Sequence, residues 1–271
     1  MAIRQMVCRY SLHILVLIVI YTCFSLYYKS IPHIEEQFQS SITEEEQKLL
    51  METARAFIRA LDSANIPYII YSGTLLGSYR HHDLIPWDDD FDILINGSFK
   101  NAVKRFVAKY DDSFALYVPD FQDFAWKYYR KDMALKTLPN LPFGWPYVDI
   151  FFFKENETHI WDDISHVSKE FTFRKDKVFP LHQRPFSSMQ LSAPCNPLHM
   201  LNMYNIQSCK SRTMSHKHEV VLPRNYYRVV PCQVLTDFYP FVHHTKTEDG
   251  WKETLKVGDI VLYSIDVKEY C

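Results

Sequence analysis

Residues 87–95, WDDDFDILI, place four carboxylates within five positions and lead directly into an apolar run. Side chains alternate between the two faces of a β-strand, so Asp90 and Asp92 would point the same way while Phe91 and Ile93 enter the core. Two neighbouring carboxylates form the kind of oxygen-lined site that Mg²⁺ or Mn²⁺ occupies. The alternative is an acidic loop that leads into a strand, and an Asp-x-Asp pattern alone does not separate the two. The stretch predicts metal ligands at Asp90 and Asp92.

A further acidic residue, Asp149, lies in the run YVDIFFF at residues 147–153, which is otherwise apolar. A buried carboxylate is unfavourable unless it is paired or binds a cation. Pairing with a basic residue such as Arg130, or a position at a wetter strand edge, is the alternative. Three acidic groups around two cations suit phosphoryl transfer. We therefore predict Asp149 as the third carboxylate of a metal centre.

The stretch YSGTLLGS at residues 71–78 contains glycine followed by a hydroxyl residue twice, directly after a predicted strand. Glycine allows the backbone to approach a ligand closely, and free N–H groups at the start of a helix bind phosphate. An ordinary turn is the alternative for an isolated Gly-Thr pair. The position just before the acidic stretch favours phosphate binding by Gly73, Thr74 and Gly77.

Helical and strand patterns alternate through the body of the chain. Residues 43–46, TEEE, form a capping box, and apolar residues recur at helical spacing as far as Leu61. Further helices are expected at 73–79, 99–110 and 194–204, and strands at 67–71, 90–95, 114–118, 124–130 and 147–153. This mixture predicts an α+β (mixed α/β) domain.

Residues 10–28 carry no charge and lie between Arg9 and Lys29. Their length predicts a membrane span rather than a cleaved signal peptide, whose apolar region is about 7–15 residues long. The positive-inside rule then makes residues 1–9 a cytosolic tail and residues 29–42 a luminal stem. We expect a single-pass type II membrane protein of the Golgi or endoplasmic reticulum with a luminal catalytic domain.

Two further features are compatible with the luminal side. Glycosylation acceptor motifs begin at Asn96 and Asn156. Four cysteines follow the predicted span without zinc-site spacing, so disulfides in one of three pairings are expected; they are Cys195, Cys209, Cys232 and Cys271. The 30 Lys and Arg residues nearly balance the 32 Asp and Glu residues, so the charge gives no reason to propose a nucleic-acid partner.

Residues 73–81 (GTLLGSYRH) and 85–93 (IPWDDDFDI) together resemble the signature of the LicD and fukutin-related family, and VDIF at residues 148–151 resembles it again. The resemblance implies a polymerase-beta-like nucleotidyltransferase fold over residues 43–205, behind the predicted transmembrane helix. Residues 206–271 are left as a C-terminal extension of unassigned structure.

The resemblance also implies a reaction. A CDP-linked alcohol, such as CDP-choline or CDP-ribitol, would give its phospho-alcohol to a hydroxyl of a glycan or glycoprotein, and CMP would leave. Carried over by motif position, Asp90 and Asp92 would bind Mg²⁺ or Mn²⁺ and Asp149 would complete the catalytic site. Arg80 and Asp88 are expected to contact the substrate, although a surface ion pair is the alternative for Arg80.

Two other functions remain open. A nucleotide-sugar glycosyltransferase would also use an Asp-x-Asp metal site, and a non-catalytic homologue would assist glycan-processing enzymes. The Gly73-Thr74 turn and Asp149 favour the phosphotransferase. The basic segment with Lys127, Arg130 and Lys131 is expected at a solvated strand edge, and the alternative is that it faces a nucleotide.

Overall fold

The computed structural model describes residues 13–25, 34–121, 123–133, 136–268 and 271. Helices and strands alternate along this part of the chain. The α-helices are α1 (13–25), α2 (Ile34–Gln37), α3 (Glu44–Ser63), α4 (Ser72–His81), α5 (Lys100–Arg105), α6 (Lys175–Val178) and α7 (Pro197–Met200). The strands of the first two thirds are β1 (Tyr68–Ile70), β2 (Asp92–Asn96), β3 (Phe114–Tyr117), β4 (Trp126–Arg130), β5 (Tyr147–Glu155), β6 (His159–Asp162), β7 (Thr172–Arg174), β8 (His182–Phe186) and β9 (Met189–Ala193).

The largest sheet has seven strands, in the order β1-β2-β5-β4-β3, with β6 paired to β5 and β7 paired to β6. Among the described strands only β2 and β5 pair in parallel. Both strands are nearly continuous apolar runs, as is typical of parallel strands that are covered on both faces. The parallel register sets Asp92 directly beside Asp149.

Helix α3 covers one face of this sheet. Thr43 and Glu46 form the predicted capping box, with Thr43 accepting from the Glu46 N–H and Glu46 accepting from the Thr43 N–H. The predicted apolar stripe is buried, and Leu50, Phe57 and Leu61 are completely shielded from solvent. Each such side chain contributes about 1.5–3 kcal/mol through burial, so this helix is a main support for the sheet.

Residues 208–268 form small antiparallel sheets that pack onto the body. Their strands are β10 (Ser208–Lys210), β11 (Met214–Ser215), β12 (Val220–Val221), β13 (Val229–Pro231), β14 (Phe241–Lys246), β15 (Gly250–Val257) and β16 (Ile260–Lys268). The pairs are β10–β13, β11–β12 and β14–β15–β16. Buried Glu253 of β15 lies 2.7 Å from Nε2 of His82 and 3.0 Å from Nη2 of Arg184. These hydrogen bonds, with the Arg184–Glu253 ion pair, join the last sheet to the core.

The four cysteines form two disulfides, which confirms the expected chemistry and identifies the pairing. Cys195 is bonded to Cys271, and Cys209 to Cys232. The first bond joins the end of the chain to the body. The second closes a loop of C-terminal residues that reaches the site described below.

The predicted fold class is corrected in two respects. First, no helix in the described part of the chain combines the length and apolar character needed to cross a membrane. Residues 10–12 and 26–28 of the predicted span, with the tail 1–9 and part of the stem, lie outside the described residues. The lack of a membrane-spanning helix among the described residues contradicts the predicted single-pass membrane topology and location.

Second, the sheets are mostly small and antiparallel. Only the seven-stranded sheet is large, and the remaining described sheets have two or three strands each. Neighbouring strands such as β8 and β9, or β14 to β16, are joined by short connections, which permit only antiparallel pairing. The molecule is a mixed α/β structure in which one parallel strand pair is surrounded by hairpins.

Candidate functional site

The start of α4 holds Asp92 in place. The Asp92 N–H donates to Oγ1 of Thr74 at 2.7 Å, and the Gly73 N–H donates to Oδ2 of Asp92 at 3.2 Å. Thr74 is buried, and its hydroxyl oxygen already accepts from a backbone group of the protein. The predicted phosphate-binding turn therefore acts here as a support for a carboxylate, although Gly73 itself lines the pocket.

Strand β2 begins at Asp92 rather than Asp90. Asp90 therefore precedes the strand, and the simple alternation that predicted a shared face with Asp92 does not apply to it. Both side chains are nevertheless buried at the same edge of the sheet. Asp149 enters this edge from the neighbouring strand β5.

A lysine that we placed at a solvated edge lies in the site. Lys127 of β4 is the antiparallel register partner of Asp149, and its Nζ lies 2.8 Å from Oδ1 of Asp149. The side chain is 13% exposed, and Nζ also lies 3.6 Å from the centre of the Tyr147 ring and 3.5 Å from Oε1 of Glu219. The alternative expectation for Asp149, pairing with a basic residue, is therefore met, by Lys127 rather than by Arg130, which bonds Asp132. Lys127 thus orients the Asp149 carboxylate.

A histidine from the C-terminal region completes the cluster. His216 Nε2 lies 3.3 Å from Oδ2 of Asp90. One ligand atom each from Asp90, Asp149 and His216 lies within 4.8 Å of the others. Carboxylate oxygens and an imidazole nitrogen are both ligands of divalent transition metals.

The buried carboxylates of this cluster repel one another. Burial raises the pKa of Asp90, and the charges of Asp92 and Asp149 raise it further. The pKa of Asp92 is raised by burial and by Asp149, and that of Asp88 by burial and by Asp90. A divalent cation would remove this repulsion, because it stabilises the ionised carboxylates. The donor set therefore fits a bound metal ion.

A pocket of about 430 Å³ opens beside the cluster, within the usual range of about 300–1,000 Å³ for small-ligand sites. One wall carries the acidic residues and the start of α4. The other wall comes from the C-terminal region and is partly basic and aromatic, with Lys210, Arg212 and Tyr227. The two walls together suit a ligand that carries both phosphate charge and a ring.

The remaining predicted site residues divide into two groups. Asp88 and Arg80 line the pocket. Arg80 is 7% exposed, which excludes the surface ion pair as its role; its Nε donates to Nε2 of His81 at 3.0 Å, and burial lowers its pKa to about 10. Gly77 lies away from the pocket, where a Cβ atom would come within 2.4 Å of the Asp83 carbonyl oxygen. Gly77 is thus required for packing of α4 against the following loop.

Sequence reasoning did not predict the contact of Lys127 with Asp149, and it did not identify His216 as part of the site. For Lys127 a signal existed, since pairing β4 with β5 in register would have placed it beside Asp149. His216 lies 126 positions after Asp90, in a region without a recognisable pattern, so no sequence signal connected the two.

Comparison with known proteins identifies the same family as the sequence motifs. Residues 65–196 match the model of the LicD/FKTN/FKRP nucleotidyltransferase domain. The chain is 29% identical to the uncharacterized protein RP689 of Rickettsia prowazekii over 169 residues, which cover 60% of this chain and 56% of that protein. It is 46% identical to human ribitol 5-phosphate transferase FKRP over 46 residues, covering 17% and 9% of the two chains.

Human ribitol-5-phosphate transferase FKTN is 27% identical over 157 residues, which cover 56% of this chain and 31% of that protein. The chain therefore spans about half, or less, of the length of these curated relatives. The matched domain contains the acidic stretch and Asp149, whereas His216, Arg212 and Lys210 lie beyond it.

Proposed function

Because residues 65–196 of this chain belong to the LicD/fukutin-related family, we propose that the protein is a metal-dependent phosphotransferase. It transfers a phospho-alcohol group, such as ribitol phosphate or phosphocholine, from a CDP-linked donor to a hydroxyl of a glycan. The observation that carries this proposal is the convergence of Asp90, Asp149 and His216 at the edge of a pocket of nucleotide size.

The cation site is built from side chains that the fold holds rigidly. Asp90 and Asp149 supply oxygens, Asp92 is fixed beside them by Gly73 and Thr74, and His216 supplies a nitrogen. A bound Mg²⁺ or Mn²⁺ would neutralise the phosphate oxygens and lower the barrier to attack at phosphorus.

The basic wall complements this arrangement. The donor carries a diphosphate, and three basic residues line the pocket: Arg80 of α4 on the wall of the carboxylates, and Lys210 and Arg212 on the C-terminal wall. Arginine binds phosphate oxygens in a bidentate manner, which fixes the position of the phosphorus. The ring of Tyr227 is placed on the same wall, where it would contact the base.

The transfer replaces one bond to phosphorus by another. A bond forms between the acceptor oxygen and the phosphorus that carries the alcohol, and the bond from that phosphorus to the bridging oxygen breaks. CMP leaves with the bridging oxygen, and the hydroxyl proton passes to a carboxylate of the site. Asp149 is the candidate, since Lys127 holds its carboxylate at the sheet edge 2.8 Å from Nζ.

The test is nucleotide release by the purified full chain with Mn²⁺ or Mg²⁺ and a panel of CDP-alcohols and UDP-sugars, in the presence of glycan acceptors. We expect CMP release from a CDP-alcohol, lowered at least about 100-fold in Asp90→Asn and Asp149→Asn because transition-state charge is no longer stabilised. The matched control is Asp123→Asn, an exposed carboxylate that accepts from Ser165. Release of UDP instead, or equal rates in all variants, would contradict the proposal.

A further inference from the structure

One member of the acidic stretch, Asp89, is fully buried and bonded to the C-terminal region. Its Oδ1 accepts from the His216 N–H at 3.2 Å, and its Oδ2 accepts from the Lys217 N–H at 3.1 Å and from the Ser215 hydroxyl at 3.2 Å. Nη1 of Arg212 lies 3.6 Å from the same Oδ2. A single carboxylate therefore holds the backbone of His216 and Lys217, the hydroxyl of Ser215 and one of the basic side chains of the pocket.

The backbone of Asp89 is fixed as well. Its carbonyl oxygen accepts from the Trp145 indole N–H at 2.8 Å, and its N–H donates to Oδ1 of Asp88 at 3.1 Å. Two consecutive residues thus contact the same segment in different ways. Asp89 bonds the backbone of His216, while Asp90 lies 3.3 Å from the imidazole Nε2 of that residue.

We propose that Asp89 is a positioning residue, which holds residues 212–217 against the acidic cluster so that His216 becomes a nitrogen ligand of the metal beside Asp90 and Asp149. This inference rests on the metal-dependent function proposed above and extends it to the ligand set. Both oxygens of Asp89 already accept from protein donors, so Asp89 supports the metal centre without belonging to it. The segment lies outside residues 65–196, so the family match does not assign it a role.

An imidazole ligand has a consequence for the choice of ion. Mg²⁺ prefers oxygen ligands and dehydrates reluctantly, whereas Mn²⁺ has the higher affinity for sites that include nitrogen. His216→Gln should therefore weaken Mn²⁺ binding more than Mg²⁺ binding.

The variant Asp89→Asn tests the positioning role. The amide would set an NH₂ group against N–H and O–H donors, and it would lose the charge that faces Arg212. Loss of such a supporting hydrogen-bond partner typically weakens metal binding about 10–100-fold. We expect that loss for Asp89→Asn and for His216→Gln, and no change for the exposed-carboxylate control Asp123→Asn.

The measurement is pulsed electron paramagnetic resonance of Mn²⁺ bound to the full chain, together with Mn²⁺ titration. The wild type should show modulation from a ¹⁴N nucleus, and this signal should disappear in His216→Gln and in Asp89→Asn. A folded Asp89→Asn protein that keeps both the nitrogen signal and the affinity would overturn the proposal. So would wild-type protein that binds Mn²⁺ without a nitrogen signal, an outcome that leaves a carboxylate metal site and the transferase function intact.

A milder variant covers the case in which Asp89→Asn does not fold, as judged by thermal unfolding. Ser215→Ala removes one hydroxyl donor to Oδ2 of Asp89 and leaves the two backbone donors in place. We expect Mn²⁺ binding to weaken several-fold, and unchanged affinity would count against the positioning role. Failure of the wild type to bind either Mn²⁺ or Mg²⁺ would instead refute the metal-dependent function itself.

Discussion

Removing one charge from the carboxylate cluster should stabilise the metal-free protein while it abolishes function. Asp90 is the best site for this change, because burial and the charges of Asp92 and Asp149 all raise its pKa. A group whose pKa is raised on folding destabilises the folded state when it is ionised at neutral pH. The variant Asp90→Asn keeps the shape of the side chain and removes the charge.

The size of the effect follows from the distance. Ligand atoms of Asp90 and Asp149 lie within 4.8 Å of each other. Two unit charges at that separation repel by about 3 kcal/mol at an effective dielectric constant of about 20. Lys127 lies 2.8 Å from Asp149 and offsets part of this repulsion, so we expect a net gain of about 1–3 kcal/mol in the free energy of unfolding in EDTA.

The assay is urea or thermal unfolding in EDTA and again in Mn²⁺. In EDTA the variant should unfold at a higher temperature, by about 2–4 °C per kcal/mol. With Mn²⁺ at 100 times its dissociation constant the wild type should gain about 2.7 kcal/mol, and Asp90→Asn should gain much less. The control Asp123→Asn, whose carboxyl pKa is lowered by hydrogen bonds from Ser165, should show no stabilisation in EDTA. A less stable Asp90→Asn protein in EDTA would refute the reasoning.

Two further changes test the support of the site. Gly77→Ala should destabilise the fold by up to about 2 kcal/mol in urea titrations, because overpacking costs about 1–3 kcal/mol and the helix propensity of alanine returns about 1 kcal/mol. Gly97→Ala should lose less, because its Cβ would lie 3.1 Å from the Phe153 carbonyl oxygen, whereas that of Gly77→Ala would lie 2.4 Å from the Asp83 carbonyl oxygen. A stabilised Gly77→Ala would contradict the packing role. Burial raises the pKa of Glu253, but hydrogen bonds from two histidines and the charge of an arginine outweigh it, so the net pKa is below 4.5. The stabilisation by ionised Glu253 is therefore present above about pH 4.5 and is lost as the pH falls further. Glu253→Gln should lower the free energy of unfolding by about 3 kcal/mol at neutral pH and flatten its acid dependence between pH 7 and 3. Parallel pH curves for the variant and the wild type would refute this role of Glu253.

Local sequence patterns were sufficient to predict an element whose structure depends mainly on its own residues. The capping box at Thr43 and the apolar stripe of α3 are encoded within 20 residues, and the helix forms as expected. The helix expected at 99–110 is instead α5 (Lys100–Arg105) between two short 3₁₀ turns. That segment buries only Val103 and Val107 completely, so little apolar packing is available to extend a regular helix.

The site required contacts that no local pattern records. The acidic residues were visible because carboxylates are rare in apolar runs, and the structure brings Asp90 and Asp149 together. Thr74 has the position that the motif predicts, but its hydroxyl is used by the Asp92 N–H. The contribution of His216 depends on the bonds that Asp89 makes over more than a hundred positions, and only the tertiary structure shows them.

The disulfide between Cys209 and Cys232 encloses the segment that carries Arg212 and His216, with a sequence separation of 23 residues. Closing a ring of that size removes about 3 kcal/mol of loop entropy from the unfolded chain. The basic wall is consequently preorganised before any ligand arrives, and less conformational freedom is lost on association. Substitutions at ring positions that do not contact Asp89, such as Lys210 and Tyr227, would change which donors fit while the carboxylates keep their places. These positions are therefore the part of the pocket in which ligand preference can be redesigned without disturbing the metal centre.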